Sequence, residues 1–314
     1  MGIKEFTENI AEKMQARLKG VEITPTENVK NNGVVLHGLT FRREGNNVAS
    51  VLYMERWFDL FKRNILLTEE ILEQVIQTYE ERSEPNMPVL ENYLSSSELV
   101  KQITVHLLNL KKNRKMIEER KLVYYKVPKT DLVCLFYIKV THVGEVSGEI
   151  VLTKDLMELY LPAFVNAEAL YHEVMGQISW KDLYFKSLTE LVYEDMEEKG
   201  IDAEPIPETN SLYVLGTESK IFGAMAILSE AGRRLILEQF PSGKVTVLPS
   251  SVHETLLMET IDEEDVWSVQ ETVKDVNRTQ VEEVDFLSDN VYHFDANTGE
   301  LVIATMDESE VEEE

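Results

Sequence analysis

The sequence predicts an α+β fold in two subdomains, with mixed, largely antiparallel sheets that carry helices packed on them. Three observations lead there. Blocks with apolar residues three or four positions apart mark helices. Several short strand-like runs succeed one another between residues 103 and 153, which points to antiparallel pairing. Finally, 43% of the 314 residues are hydrophobic, enough for ordinary globular cores and incompatible with wholesale disorder.

The elements follow in order. Phe6, Ile10, Met14 and Leu18 recur at four-residue steps, so residues 4–18 are expected as a helix stopped by Gly20. Residues 21–24 and the run up to Phe41 read as strands, with Asn32-Gly33 as the turn before the second. Residues 51–63 and 68–82 are expected as helices. Thr68 opens the second, with Glu69 and Glu70 in its first turn, where the helix dipole favours carboxylates. The proline-bearing stretch 83–88 breaks the pattern. It divides an expected N-terminal helix/hairpin/helix unit, 1–88, from a larger α+β domain, 89–306, and residues 307–314 are expected as an acidic disordered tail.

Within the larger domain, 103–108, 122–127, 132–140 and 149–153 read as strands, with a charged helical turn running through Arg120. The helical period returns at 156–159, 167–175 and 182–199, where Gly200 ends the last helix. The final third alternates: strand 212–215, helix 222–240, strand 244–248, an apolar run at 254–258, helix 263–276, then a hairpin of 290–294 with 301–305 turning at Asn297-Thr-Gly299.

Charge separates the two ends of the chain. Of a formal net charge of −26, residues 1–130 hold 20 Lys and Arg against 18 Asp and Glu, whereas residues 131–314 hold 11 against 39. A concentrated local basic patch occurs at 101–129, with nine basic residues against Glu118 and Glu119. Such a carboxylate excess repels phosphates, so direct sequence-specific nucleic-acid binding is not expected, and an attracted partner would be a basic protein. The plainer reading is that the acids keep the protein soluble. No apolar run approaches the roughly 20 residues of a membrane-spanning helix, so no membrane association is expected. The first ten residues form a charge-bearing amphipathic pattern unlike a signal peptide, so a cytoplasmic location is expected. Cys134 is the single cysteine. It excludes an intramolecular disulfide and a Cys-rich zinc site, and in its apolar run it reads as a small buried hydrophobe.

Catalytic motifs fail on spacing. Tyr171-His-Glu-Val-Met-Gly176 has glycine where a zinc hydrolase needs its second histidine, and the six histidines are isolated from one another, so no metal site and no cofactor are expected. The phosphate-binding P-loop and the dinucleotide fingerprint are both missing. Gly144-Glu-Val-Ser-Gly148 places its serine one position too late for a hydrolase elbow, and Ser288-Asp-Asn290 lacks companion motifs and reads as a turn or cap. The densest polar cluster is Leu248-Pro-Ser-Ser-Val-His-Glu254. As a structured turn it needs no function. As a site it would use Ser250 or Ser251 as nucleophile or contact and His253 as base, with Glu254 orienting it. In an extended chain, however, Ser251 and His253 share a side that Glu254 does not.

Several phrases together resemble a bacterial family of unknown function, domain of unknown function 5688: Lys30-Asn-Asn-Gly-Val-Val-Leu-His-Gly-Leu-Thr40, Leu248-Pro-Ser-Ser-Val-His-Glu254, Val276-Asn-Arg-Thr-Gln-Val281, Leu287-Ser-Asp-Asn-Val-Tyr-His293 and Asn109-x-x-x-Asn113. The C-terminal order of elements is also distantly similar to a second such family, 1444. The resemblance implies a cytoplasmic bacterial protein and carries over no catalytic or binding residues.

Two readings of different class follow. The first is a non-enzymatic interaction protein that presents its acidic surface to a basic protein, in its sharper form an inhibitor that mimics nucleic-acid charge. The alternative is a small-ligand sensor or hydrolase-like enzyme, with a pocket assembled from Ser250, Ser251, His253 and Glu254 and from Asn277, Gln280 and His293. No residue is assigned as catalytic on sequence grounds.

Overall fold

The computed structural model describes residues 1–44, 49–81, 96–141, 147–201, 212–249 and 251–304. The fold is α+β, and each strand register recorded in it is antiparallel. The chain divides into two compact units, Met1–Leu94 with Lys139–Ile150, and Ser95–Ile138 with Val151–Glu314. The break expected at 83–88 and the tail expected at 307–314 lie outside the described residues.

In the first unit α1 (Ile3–Arg17) precedes a meander of β1 (Val21–Val29), β2 (Val35–Arg43) and β3 (Ser50–Tyr53), then α2 (Glu55–Lys62) and α3 (Thr68–Glu81). The turn between β1 and β2 takes left-handed backbone at Asn32 and Gly33, the two residue types that tolerate it best. Helix α1 buries Phe6, Ile10 and Met14, and α3 buries Ile71, Leu72, Val75 and Tyr79. Together with Leu39, Phe41 and Leu52 of the sheet they form one core. A 15-residue helix is marginal alone in water, so α1 is held by this stripe, at about 1.5–3 kcal/mol per large side chain buried. Phe41 stacks on Tyr79 at 4.3 Å, and the Arg43 Nε–H donates to the Tyr79 hydroxyl at 2.9 Å.

The second unit begins with α4 (Ser96–Val100), β4 (Ile103–Asn109), α5 (Leu110–Glu119), β5 (Tyr124–Lys126) and β6 (Leu132–Thr141) as far as Ile138; the end of β6 and nearly all of β7 (Ser147–Val151) fall in the stretch counted with the first unit. Strand β6 lies between β4 and β5 and also pairs with β7. Val133, Cys134, Leu135 and Phe136 are all fully buried, as their unbroken apolar run implies for a central strand. Next come α6 (Lys154–Tyr160), α7 (Ala167–Gly176), β8 (Leu183–Ser187), α8 (Leu188–Glu198) and β9 (Tyr213–Thr217). A 3₁₀ segment (Gly223–Leu228) leads into α9 (Glu230–Gln239), β10 (Lys244–Leu248), β11 (Glu254–Glu259), α10 (Glu263–Gln280), β12 (Tyr292–Asp295) and β13 (Glu300–Ile303). These last strands form a six-stranded sheet in the order β13-β12-β10-β11-β9-β8. Its register aligns Leu215, Val245, Val247, Leu257, Tyr292 and Phe294 on one buried face. Leu248, one residue out of phase, meets Val266 and Val273 of α10 on the other face.

Four expectations on element type or extent are corrected. Residues 51–53 are strand, because Leu52 pairs with Leu39 and is buried with Met54 at a period of two; the helix starts at Glu55. Residues 183–187 are strand β8, paired with β9; α8 starts only where the Ser187 hydroxyl accepts from the Glu190 N–H. The stretch 222–240 is broken rather than one helix. Phe222 is left-handed, Gly223–Leu228 is 3₁₀, and the buried Ser229 caps α9 by accepting from the Gly232 N–H. A Cβ on Gly232 would lie 2.1 Å from the Ala226 carbonyl oxygen, so the break depends on a glycine there. Helix α10 runs one turn past its expected end at 276, which places Asn277 and Gln280 on it.

Candidate functional site

Two polar clusters in the second unit contain most of the residues singled out above. The first centres on His253, just before β11. Its Nδ1 accepts the Phe222 backbone N–H at 3.1 Å, and its Nε2 lies 3.1 Å from Asp285 Oδ1. A neutral imidazole has one lone pair and one N–H, so an acceptor role at Nδ1 puts the proton on Nε2, facing the carboxylate. Neither nitrogen is left over. The Ser251 hydroxyl is buried and accepts the backbone N–H of His253 at 3.0 Å, a turn bond rather than a bond to the ring.

The partner of His253 is therefore Asp285, not the sequence neighbour Glu254. Glu254 starts β11 opposite Gly216. Burial raises its carboxyl above the usual range; the neighbouring His253 opposes this shift and Asp285 adds to it. On the other side of Gly216, in the β8–β9 pairing, Tyr184 is its partner, with its hydroxyl 2.7 Å from where a Cβ on Gly216 would be, and burial pushes the phenol up to about 12, with Glu254 and Glu218 contributing. Asp285 reaches His253 because the chain after α10 runs antiparallel to Pro249, Ser251 and Val252. Val252 N–H donates to the Asp285 carbonyl, Ser251 bridges Phe286, and Ser288 N–H donates to the Pro249 carbonyl.

The second cluster lies further along that connection. Asp131, at the start of the chain into β6, accepts from Asn109 Nδ2 and from the Ser288 hydroxyl on Oδ2, both at 2.9 Å, and from the Tyr292 hydroxyl on Oδ1. Asn109 also caps α5 by accepting the Lys112 N–H, while Asn113 Nδ2 donates to the Asn109 carbonyl. Asn277 Nδ2 donates to the Ser288 carbonyl at 2.9 Å and to Asp289 Oδ1 at 2.8 Å. Gln270 Nε2 donates to Asn290 Oδ1 at 3.3 Å. Burial, then the Asp131 charge, raises the Tyr292 phenol well above its usual range, so it is a hydrogen-bond donor at all ordinary pH. Ser288-Asp-Asn290 is thus a turn element, bonded to the start of β6 and to α10.

The remaining candidates do not join either set of bonds. Gln280 is exposed at the end of α10. His293 sits on β12 opposite Thr246, and its buried Nδ1 has no hydrogen-bond partner among the described residues. Ser250 lies outside the described residues. An open dish along α10, lined by Thr272, Asp275, Val276 and Thr279 among others, includes none of the candidates. Among the described residues, no group of three or more His, Cys, Asp or Glu could hold a metal ion. No helix among them is long and apolar enough to cross a membrane.

Sequence reasoning missed Asp131 and Asp285. Asp131 follows an ordinary Lys-Thr turn, and Asp285 stands in the acidic run Glu282-Glu-Val-Asp285, where nothing distinguishes it from its neighbours. Four of the five phrases behind the family resemblance do meet in space: Asn109 and Asn113, Pro249 with Ser251 and His253, Asn277, and Ser288 with Tyr292.

Fold and site together define a class: an α+β protein of antiparallel sheets whose second unit is tied across by hydrogen bonds centred on one histidine and one carboxylate. Residues 3–296 match the family described as "Family of unknown function (DUF5688)", and the chain belongs to that family. No curated protein and no solved structure matches it.

Proposed function

We propose that this chain is a non-enzymatic interaction protein of the bacterial cytoplasm that offers the acidic surface of its second unit to a basic protein partner. The observation that carries the reading is the state of His253. With Nδ1 taken by the Phe222 N–H and the Nε2 proton facing Asp285, the imidazole has no free lone pair to act as a general base, and the Ser251 hydroxyl bonds the backbone instead of the ring. Ser251 and His253, the described serine and histidine of that candidate set, are spent on holding loops together. The reading is supported by the charge of the sequence after position 130, 39 acidic against 11 basic residues. The basic segment 101–129 already spends part of its charge internally, through Lys112 to Glu283 at 2.6 Å and Lys129 to Glu300 at 2.7 Å. A single, buried cysteine suits a reducing compartment.

The test is affinity capture of a partner by the full chain, repeated in about 50 mM and about 500 mM salt, since the Debye length shrinks about threefold over that range. A discrete basic protein retained at low salt, lost at high salt, and displaced by duplex DNA supports the reading, including its nucleic-acid-mimic form. Capture insensitive to salt, or turnover of a small substrate that disappears in His253→Ala while the fold is retained, overturns it.

A further inference from the structure

We infer that His253 is a proton-operated catch on loop 219–222, at the entry to the 3₁₀ segment. The catch works only while the ring is neutral, because Nδ1 holds the Phe222 N–H by accepting it at 3.1 Å. Protonation turns Nδ1 into a donor, and two N–H groups then face each other across the same gap. The other ring nitrogen does not oppose the change: Nε2 already points a proton at Asp285, which remains a good partner for an imidazolium. Proton uptake therefore leaves the histidine anchored to the 281–291 connection and removes its hold on the loop.

The loop is built to respond. Phe222 has left-handed backbone, φ 50° and ψ 33°, a conformation costly for a bulky residue and sustained by its surroundings. Three contacts sustain it: the bond to His253, a stack on the buried His106 ring at 3.6 Å, and a tilted approach to the His253 ring at 5.6 Å. Its neighbour Ile221 is 58% exposed, and Ser219 and Lys220 are exposed as well. The chain on the far side is fixed. A Cβ on Gly223 would lie 2.5 Å from both the His253 carbonyl oxygen and the Thr217 nitrogen, and Ala224 N–H donates to the Val252 carbonyl. On the near side Glu218 N–H donates to the Asp182 carbonyl. Inside the loop Lys220 N–H donates to the Thr217 carbonyl at 2.7 Å and the Thr217 hydroxyl donates to the Ile221 carbonyl at 3.2 Å, so the motion is confined to Phe222 and the peptide that carries its N–H, beside the already exposed Ile221.

The titratable groups facing the catch come from four directions: Asp285 from the connection after α10, Glu254 from β11, Tyr184 and Glu218 around the β8 and β9 ends beyond Glu254, and His106 of β4 behind Phe222. Only His253 has the Phe222 N–H as its hydrogen-bond partner.

Hydrogen exchange of the Phe222 amide in the full chain, read by NMR and corrected for the intrinsic pH dependence of exchange, tests this from about pH 7.5 to about pH 5.5, either side of the ordinary histidine range. The expected result is a protection loss of about tenfold, the factor one ordinary hydrogen bond supplies, while amides of β10 stay protected. In His253→Asn, whose amide oxygen accepts without titrating, the loss should vanish. In Asp285→Asn, which removes the anion beside the imidazolium, it should move to lower pH. Unchanged Phe222 protection in the wild type, or the same pH profile in His253→Asn, overturns the inference.

Discussion

Replacing Asp131 with alanine puts a number on the polar network of the second unit. The side chain accepts three hydrogen bonds, from Asn109, Ser288 and Tyr292, and Ser288 and Tyr292 are themselves fully buried. A hydrogen bond to a charged acceptor contributes about 1.5–3 kcal/mol, and a buried donor left without a partner costs about 1–3 kcal/mol. The three are not additive, and Asp131 is only half-buried, so water can reach part of the gap. The expected loss is about 3–5 kcal/mol, or roughly 10 °C in Tm for a unit of this size. Tyr292→Phe removes one donor and leaves the carboxylate two, so it should cost about 1–2 kcal/mol. The double variant should cost clearly less than the sum, with a coupling of about 1 kcal/mol or more. Urea unfolding followed by circular dichroism, with hydrogen exchange assigning the transition to the second unit, measures all three. A loss below about 1 kcal/mol in Asp131→Ala, or strict additivity with Tyr292→Phe, would refute the view that these groups act as one network.

Three further outcomes are expected. Burial holds the His293 imidazole below its usual value, with Glu263 pulling the other way, so the folded state resists the proton that the unfolded chain takes up. Its contribution to stability is intact above the ordinary histidine value of about 6.5 and is lost as pH falls below it, and His293→Gln should flatten that part of the stability profile in urea titrations. Gly232→Ala forces a Cβ to within 2.1 Å of a backbone oxygen and should cost at least about 1–3 kcal/mol, whereas Gly2→Ala, where a Cβ meets nothing within 4 Å, should be silent in the same melt. Cys134 is fully buried and its thiol is driven upward by that burial, so iodoacetamide should leave it unmodified in the folded protein and label it fully in denaturant, as read by intact mass.

How far the fold was legible follows from where each signal lives. The α1 stripe of Phe6, Ile10 and Met14, the Asn32-Gly33 turn, the central run at Val133 to Phe136 and the Asn297-Thr-Gly299 turn are statements about neighbours in sequence, and each appears in the structure in its expected role. Strands β3 and β8 were misread because each is short and runs directly into a helix. Only the partner, β2 for one and β9 for the other, supplies the ladder that makes them strands. The candidate site divides the same way. The sequence singled out Ser251, His253 and Asn277 as unusual polar residues, but assigned His253 the carboxylate next to it in the chain rather than Asp285, which lies 32 positions away and reaches it through the antiparallel return after α10.

By itself, then, the sequence determined what is local or additive. It set an acidic, α+β chain with its charge gathered after residue 130, helices and turns where spacing and backbone freedom dictate them, and no contiguous catalytic motif. Tertiary structure alone decided which donor meets which acceptor: that Asn109, Ser288 and Tyr292 converge on Asp131, and that Phe222 and Asp285 between them occupy both nitrogens of His253. The reason is that a hydrogen bond is fixed by a distance of about 3 Å and a direction, and chain separation says nothing about either until sheet register and loop path bring the groups together.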